Sequence, residues 1–134
     1  RDRLPDGAPG GAPRVRPRAV IAQAPVADLE RAPGLIAPGG LVHDLLGGGP
    51  RDVPARYDVA NPARQVPLGV PALLVHGAED RTVSVGQSRD YAAAARAAGA
   101  TVELVEPPGA AHRDHVDPRS TAWAAVTGRL GALA

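Results

Sequence analysis

ALLVHGAEDRTV, residues 72–83, is the stretch that best indicates the fold of this chain. Its first half is a continuous apolar run between Pro71 and Gly77, which is typical of a parallel β-strand covered on both faces. Its second half is a short polar segment that contains Asp80. In open parallel sheets the reactive groups lie on loops that leave the carboxyl ends of strands. The loop that follows residue 76 is therefore a candidate site.

Two further apolar runs, 19–24 (AVIAQA) and 101–105 (TVELV), predict a first and a third strand. A helix is predicted over 85–98, between the second and third strands. Ser84 and Gln87 have the spacing of a capping box at its start, and Gly99 suits a left-handed cap at its end.

A last helix is predicted at the end of the chain, with Asp117 as its N-cap and Pro118 at its first position. Its buried stripe is predicted to consist of four residues at helical spacing, Trp123, Val126, Leu130 and Leu133. Between 25 and 71, repeated Pro and Gly leave room only for short helices, the best candidates being 41–46 and 52–57.

The alternation of strands and helices predicts an α/β fold with about three parallel strands, flanking helices and right-handed crossovers. Residues 1–18 are rich in Gly, Pro and Arg and predict a connector, which leaves 19–134 as the folded part. Because the chain has no Met and starts at Arg1, we expect it to be truncated at its N-terminus.

Composition excludes several classes of function. The chain has no Cys, so thiol catalysis and thiolate metal sites are impossible. A net charge of +1 without a basic stripe gives no sign of a nucleic-acid or anionic-membrane partner. No apolar run approaches the roughly 18 residues that a membrane span needs. The sequence does not indicate a compartment, and the cytoplasm is only a default guess.

A second polar loop, 107–115, follows the third predicted strand and contains His112. Neighbouring parallel strands lie about 4.8 Å apart, so a carboxylate on one such loop can reach an imidazole on the next. A carboxylate in that position fixes the tautomer of the histidine, whose other nitrogen can then accept the proton of a serine hydroxyl. We therefore expect Asp80 and His112 to be in contact.

These two segments, 73–88 (LLVHGAEDRTVSVGQS) and 102–123 (VELVEPPGAAHRDHVDPRSTAW), resemble the final third of α/β-hydrolases of the prolyl-oligopeptidase-like and esterase-like branch. In that branch the acid stands three residues after a His-Gly pair, as Asp80 does, and the histidine follows a Gly-x-x pattern, as His112 does. The resemblance implies that 19–134 is a partial α/β-hydrolase domain with an incomplete sheet. It also implies a small-molecule ester or peptide substrate and no cofactor or metal.

The nucleophile of such an enzyme is missing from this sequence. No Gly-x-Ser-x-Gly motif occurs, and the only serines are Ser84, Ser88 and Ser120. The serine and the oxyanion-hole loop would belong to a missing N-terminal half of the same fold, so we expect the chain alone to be inactive. The alternative is a catalytically inactive truncated product or association module whose first strand forms an exposed apolar sheet edge.

Other residues have less specific patterns. His115 is a second candidate for the catalytic histidine. Four residues imitate the spacing of a zinc site, His112, Asp114, His115 and Asp117, although a helix cap also explains the last of them. Ser84 is a possible nucleophile, although a helix-capping role is the simpler explanation of a serine at this position. Glu79 is interpreted as solvated, His43 and His76 as structural, and Gly47–Gly49 as a helix stop, since no Lys-Ser/Thr follows it.

Overall fold

The computed structural model describes residue 15 and residues 17–133. The predicted connector, 1–18, lies almost wholly outside them, and the division of the chain at residue 18 stays a prediction. The described part contains a three-stranded parallel sheet in the order β1 (Val20–Gln23), β2 (Ala72–Val75), β3 (Val102–Val105). The register pairs Gln23 with Val75 and Val75 with Val105, so the carboxyl ends of the three strands are level. The predicted α/β fold with three parallel strands is confirmed.

The central strand β2 is buried along its whole length. Leu74 packs on one face of the sheet against Tyr91 and Ala92. Leu73 and Val75 pack on the other face in a cluster that includes Ala122 and Val126. Because both faces are covered, every position of this strand favours an apolar side chain, which accounts for its continuous apolar sequence.

Helix α4 (Gly86–Ala97) crosses from β2 to β3 and matches the predicted helix to within one residue at each end. Gly99 has the expected left-handed backbone, with φ of 82°. The predicted capping box is wrong. The Gln87 side chain instead accepts from the backbone N–H of Asp28 at 2.6 Å and donates to the Arg31 carbonyl at 3.0 Å. A tertiary contact with the segment after β1 thus replaces the local cap.

Helix α5 (Thr121–Leu133) begins later than predicted, and its cap is Ser120, not Asp117. The Ser120 hydroxyl accepts from the backbone N–H of Trp123 at 3.0 Å, whereas the Asp117 carboxylate accepts from that of Arg119 in the preceding turn. The predicted stripe is also wrong at Leu130, which is 50% exposed. The side chain of Leu133 lies outside the described part. The buried residues of this helix are Ala122 and Val126, which pack in the cluster on that face of the sheet.

The segment between β1 and β2 contains the short helices α1 (Pro33–Ile36), α2 (Leu41–Leu46) and α3 (Pro54–Ala60). Helix α2 matches its predicted bounds, while α3 begins two residues later than predicted and ends three later. Tyr57 anchors a small core with Val42 and Leu46, and its hydroxyl donates to the Gly48 carbonyl. Gly47, with φ of 75°, caps α2, so the run of glycines ends a helix as predicted. None of the described helices is long and apolar enough to cross a bilayer.

Candidate active site

The loops that carry Asp80 and His112 leave the level ends of β2 and β3 and are joined to each other by backbone hydrogen bonds. His76 N–H donates to the Val105 carbonyl at 3.0 Å, and Glu79 N–H donates to the Ala110 carbonyl at 3.0 Å. The second loop then passes into a 3₁₀ turn, His112–Val116. These bonds extend the strand pairing beyond the sheet and set the spacing between the two loops.

Gly77 lies where the two loops approach most closely. A Cβ atom at this position would be 2.3 Å from the Ala110 carbonyl oxygen, which is a steric clash with backbone. Only glycine fits there without moving one of the loops. The His-Gly pair in the sequence therefore marks a close approach of two backbones.

Asp80 and His112 are in direct contact, as the strand order predicts. Nδ1 of His112 lies 2.8 Å from Oδ2 of Asp80. The carboxylate can only accept, so Nδ1 donates, and in the neutral ring Nε2 is then free to accept a proton. The Asp80 side chain is fully buried, whereas that of His112 is 40% exposed. The pair thus combines a sheltered carboxylate with an imidazole that solvent can reach.

Asp80 is held by its own loop as well as by His112. Its Oδ1 accepts from the backbone N–H groups of Thr82 at 2.8 Å and Val83 at 2.9 Å. Burial by itself would raise the pKa of Asp80, but the bonds from Val83, His112 and Thr82 together outweigh it and lower the pKa below its usual value. Asp80 is therefore ionised at neutral pH.

His76, which the sequence analysis interprets as structural, lies against the Asp80 loop. Its buried ring has Nε2 2.9 Å from the Val83 carbonyl oxygen and Nδ1 2.7 Å from the Ser88 hydroxyl oxygen. Nε2 also lies 3.4 Å from Oδ2 of Asp80. The adjoining Gly77 is the sequence feature that could have indicated this placement of His76, since a histidine next to a close backbone approach at a strand end is held in place.

His115, the second candidate for the catalytic histidine, is 4% exposed. Its Nε2 accepts from the Gly77 N–H at 3.2 Å, and its carbonyl accepts from the Gln23 side chain at 3.0 Å. Burial is the main cause that lowers the pKa of His115, with the nearby His76 adding to it, so the ring is neutral. These two hydrogen bonds make His115 a link between β1, β2 and the 3₁₀ turn. Because the ring is buried and its Nε2 is occupied, His115 is poorly placed to exchange protons with a substrate.

Comparison with known protein families identifies the family of this chain. The profile of the prolyl oligopeptidase family matches residues 16–125. The chain belongs to the prolyl oligopeptidase family. That family consists of serine hydrolases with esterase and peptidase members, so the resemblance read from the two loop segments is confirmed. None of the curated protein sequences compared with the chain matches it.

Solved structures similar to this prolyl oligopeptidase family chain include two esterases. One is a thermophilic esterase from the planctomycete Thermogutta terrifontis, with a TM-score of 0.62, 26% identity and coverage of 86% of this chain and 40% of that one. Another is a truncated carbohydrate esterase from gut microbiota, with a TM-score of 0.62, 25% identity and coverage of 71% and 35%. A dipeptidyl aminopeptidase IV-like protein from Bacteroides ovatus shares the fold, with a TM-score of 0.63, 16% identity and coverage of 87% and 15%. The chain thus spans less than half the length of each of these structures.

All three serines of this family member have structural partners. The Ser84 hydroxyl accepts from the Gly86 N–H, the Ser88 hydroxyl is bonded to His76, and the Ser120 hydroxyl caps α5. Within the described residues none of them is hydrogen-bonded to His112. Ser84 therefore lacks the contact that a nucleophile needs.

The four residues with zinc-like spacing do not form a metal-binding group. Asp114 bonds to the Ala111 N–H at 2.6 Å, and Asp117 accepts from Arg119. Over the described ranges, no three His, Cys, Asp or Glu side chains come together in a way that could hold a metal ion. These carboxylates instead form turns around the His112 segment.

An open cleft of about 520 Å³ lies beside the Asp80 loop. One wall is formed by residues 80–85 of that loop and the other by the segment after β1, which contributes Val26 and Leu35. Several of its lining side chains are apolar, among them Val83 and Val85. The cleft offers room for a small group beside Asp80, which is one of its lining residues.

Proposed function

We propose that this chain is the acid-and-histidine part of a serine hydrolase that cleaves carboxylic esters or peptide amides. The observation that carries the proposal is the 2.8 Å contact between His112 Nδ1 and the buried Asp80 carboxylate, at the strand ends of a prolyl oligopeptidase family chain. The contact supports these roles because a buried carboxylate that faces a half-exposed imidazole is the arrangement that general-base catalysis needs.

In the proposed mechanism, Asp80 keeps the proton of His112 on Nδ1. Nε2 then takes the proton of a serine hydroxyl as that oxygen attacks the substrate carbonyl, and Asp80 stabilises the resulting imidazolium. When the bond between the carbonyl carbon and the leaving group breaks, Nε2 gives the proton to the leaving alcohol or amine, and an acyl-serine is left. A water molecule, deprotonated by Nε2, then attacks the acyl carbonyl, and the serine oxygen leaves and takes back that proton. The serine and the oxyanion hole would come from the part of the fold that this chain does not span, since it covers 40% of the Thermogutta esterase.

Esters with a small apolar group are the favoured substrate class. The cleft beside Asp80 has apolar side chains on both walls, among polar ones that include Arg31 and Arg81. The apolar part of the lining favours an apolar acyl or alcohol group. The two structural neighbours of 25% identity or more named above are themselves esterases. Peptide amides are the second proposed substrate class, because the family to which the chain belongs includes peptidases.

Kinetics of the complete hydrolase test this proposal. The coding sequence upstream of Arg1 is read first, and a Gly-x-Ser-x-Gly motif is expected there. The complete protein is then assayed with esters of increasing acyl length. Asp80→Asn and His112→Ala should each lower kcat by roughly 10³-fold or more, because each removes a member of the proton-transfer pair. His43→Ala, in α2, is the matched control and should leave turnover unchanged. Full turnover in either of the first two variants would refute the assignment.

The alternative is that the chain is a non-catalytic product or association module. Its support is that all three serines have structural partners and that β1 has a strand neighbour on only one side in the described part. A fluorophosphonate probe separates the two functions. Labelling of the complete protein, with loss of labelling in His112→Ala, supports the hydrolase, whereas an unlabelled complete protein supports the module.

A further inference from the structure

His76 lies directly after β2, between the Asp80 loop and α4, and its side chain has no exposed surface. It contacts both ends of the turn that surrounds Asp80. Its backbone N–H continues the strand pairing by donating to Val105, and its ring reaches across the loop to the Val83 carbonyl. The ring therefore closes the loop at residue 83.

The hydrogen bonds of the ring define its tautomer. A backbone carbonyl has no proton to donate, so Nε2 of His76 must carry the proton that it shares with Val83. In the neutral ring Nδ1 is then an acceptor, and the Ser88 hydroxyl donates to it at 2.7 Å. Ser88, on the buried face of α4, thus keeps the donor of the ring directed at the Asp80 loop.

We propose that His76 is a positioning residue for the Asp80 and His112 pair. This rests on the proposed hydrolase function. The Nε2–H group holds the Val83 carbonyl, and the N–H groups of Thr82 and Val83 stay directed at Oδ1 of Asp80 as a result. Nε2 of His76 also lies 3.4 Å from Oδ2, the oxygen that accepts from His112. One buried ring therefore holds the loop whose amides bind Oδ1 and lies beside Oδ2.

A pair of isosteric substitutions separates this role from simple packing. Glutamine places an amide NH₂ near the position of Nε2 and keeps the donor to Val83, whereas asparagine places its amide near Nδ1 and keeps only the side that faces Ser88. If the ring merely fills space, both substitutions should reduce kcat by a similar factor. If it positions Asp80, His76→Gln preserves the site and His76→Asn does not.

In the complete hydrolase, His76→Asn should lower kcat by roughly 10²-fold with little change in KM, since a misplaced catalytic group affects the chemical step. His76→Gln should stay within about tenfold of the wild type. In the 134-residue chain, carboxyl ¹³C NMR should show a higher pKa of Asp80 in the Asn variant than in the Gln variant, because only the former loses the aligned amides. Equal kcat losses and equal Asp80 titrations in the two variants would overturn the proposal.

A measurement on the wild-type chain keeps the proposal testable if a variant does not fold. Nitrogen-15 NMR of the imidazoles should show His76 protonated at Nε2, and protonation at Nδ1 alone would refute the proposed role. Because the NMR measurements do not depend on hydrolysis, they also separate the two proposals. An inactive complete protein with the expected NMR pattern would remove the hydrolase function and leave the positioning of the carboxylate intact.

Discussion

Asp80 keeps its charge in a place where burial alone would neutralise it. Three hydrogen bonds reach its carboxylate, two from the backbone of its own loop and one from His112. Their combined effect exceeds the desolvation cost and lowers the pKa of Asp80. The ionised state of this residue therefore depends on the loop being folded.

This linkage predicts how stability depends on pH. The pKa of Asp80 is lowered in the folded chain, so at acidic pH the unfolded chain binds more protons than the folded one. The stability that Asp80 contributes is complete above its unfolded pKa, at about 4, and is lost as the pH falls through the folded value. Urea unfolding of the wild type and Asp80→Asn between about pH 6 and pH 3 measures the difference, which should shrink toward acid.

Asp117 is the control for that experiment. The exposed Arg119 partner lowers the pKa of Asp117 too, but salt screens an exposed pair and hardly affects a buried one. Added salt should therefore reduce the pH-dependent contribution of Asp117 to the free energy of unfolding and leave the contribution of Asp80 unchanged. An Asp80→Asn variant with the same pH slope as the wild type would contradict the cited hydrogen bonds.

Gly77 gives a second prediction for a single residue. Gly77→Ala would place a methyl group 2.3 Å from the Ala110 oxygen and should reduce the free energy of unfolding by about 1–3 kcal/mol, because two hydrogen-bonded loops must separate. Gly128→Ala in α5, where a Cβ meets nothing within 4 Å, is the matched control and should stabilise by up to about 1 kcal/mol. Urea denaturation measures both. A Gly77→Ala chain as stable as the wild type would show that the loops are not held at this distance.

At the level of the elements, the two long helices show that a side chain with the right spacing caps a helix only when no other hydrogen-bond partner is available to it. Gln87 is spaced correctly to cap α4 but bonds to the backbone of residues 28 and 31 instead. Asp117 precedes a proline, yet its carboxylate forms a turn with Arg119, and the helix starts at Thr121. Ser120 thus takes the capping position.

The cap of α5 can be tested by substitution. Ser120→Ala removes the acceptor for the Trp123 N–H and should cost about 1 kcal/mol of stability, whereas Asp117→Ala should cost less. Thermal or urea unfolding of the two variants gives the comparison. A larger loss for Asp117→Ala would restore the cap that the sequence suggested.

At the scale of the whole molecule, β1 has a partner strand on one side only within the described residues. Alternate N–H and C=O groups of a parallel strand point to each side, so half of those in β1 face away from β2. Such an edge pairs readily with another strand.

We therefore predict that the 134-residue chain self-associates when it is produced alone. Sedimentation velocity should show a weight-average mass that rises with concentration, and the complete protein, whose added strands would cover the edge, is the control. A chain that stays monomeric at all concentrations would contradict an available edge.

Much of the fold could be predicted because the signals involved are local. Strand β2 is a continuous apolar run, and Gly99 stands where a left-handed residue is needed at the end of helix α4. Strand order brings the two loops together, and the family resemblance singled out Asp80 and His112 within them. The exposed Leu130 was missed because helical spacing defines a stripe but not the length over which the sheet covers it.

The sequence by itself determined the class of fold and its three parallel strands, because period and order are properties of the chain, and its resemblance to a known family indicated the two residues proposed for proton transfer. Only the tertiary structure decided what His76, Gln87, His115 and Ser120 bond to. A polar side chain takes whichever partner lies closest after folding, and that partner is often distant along the chain. The physical reason is that burial makes an unpaired polar group costly wherever its partner comes from.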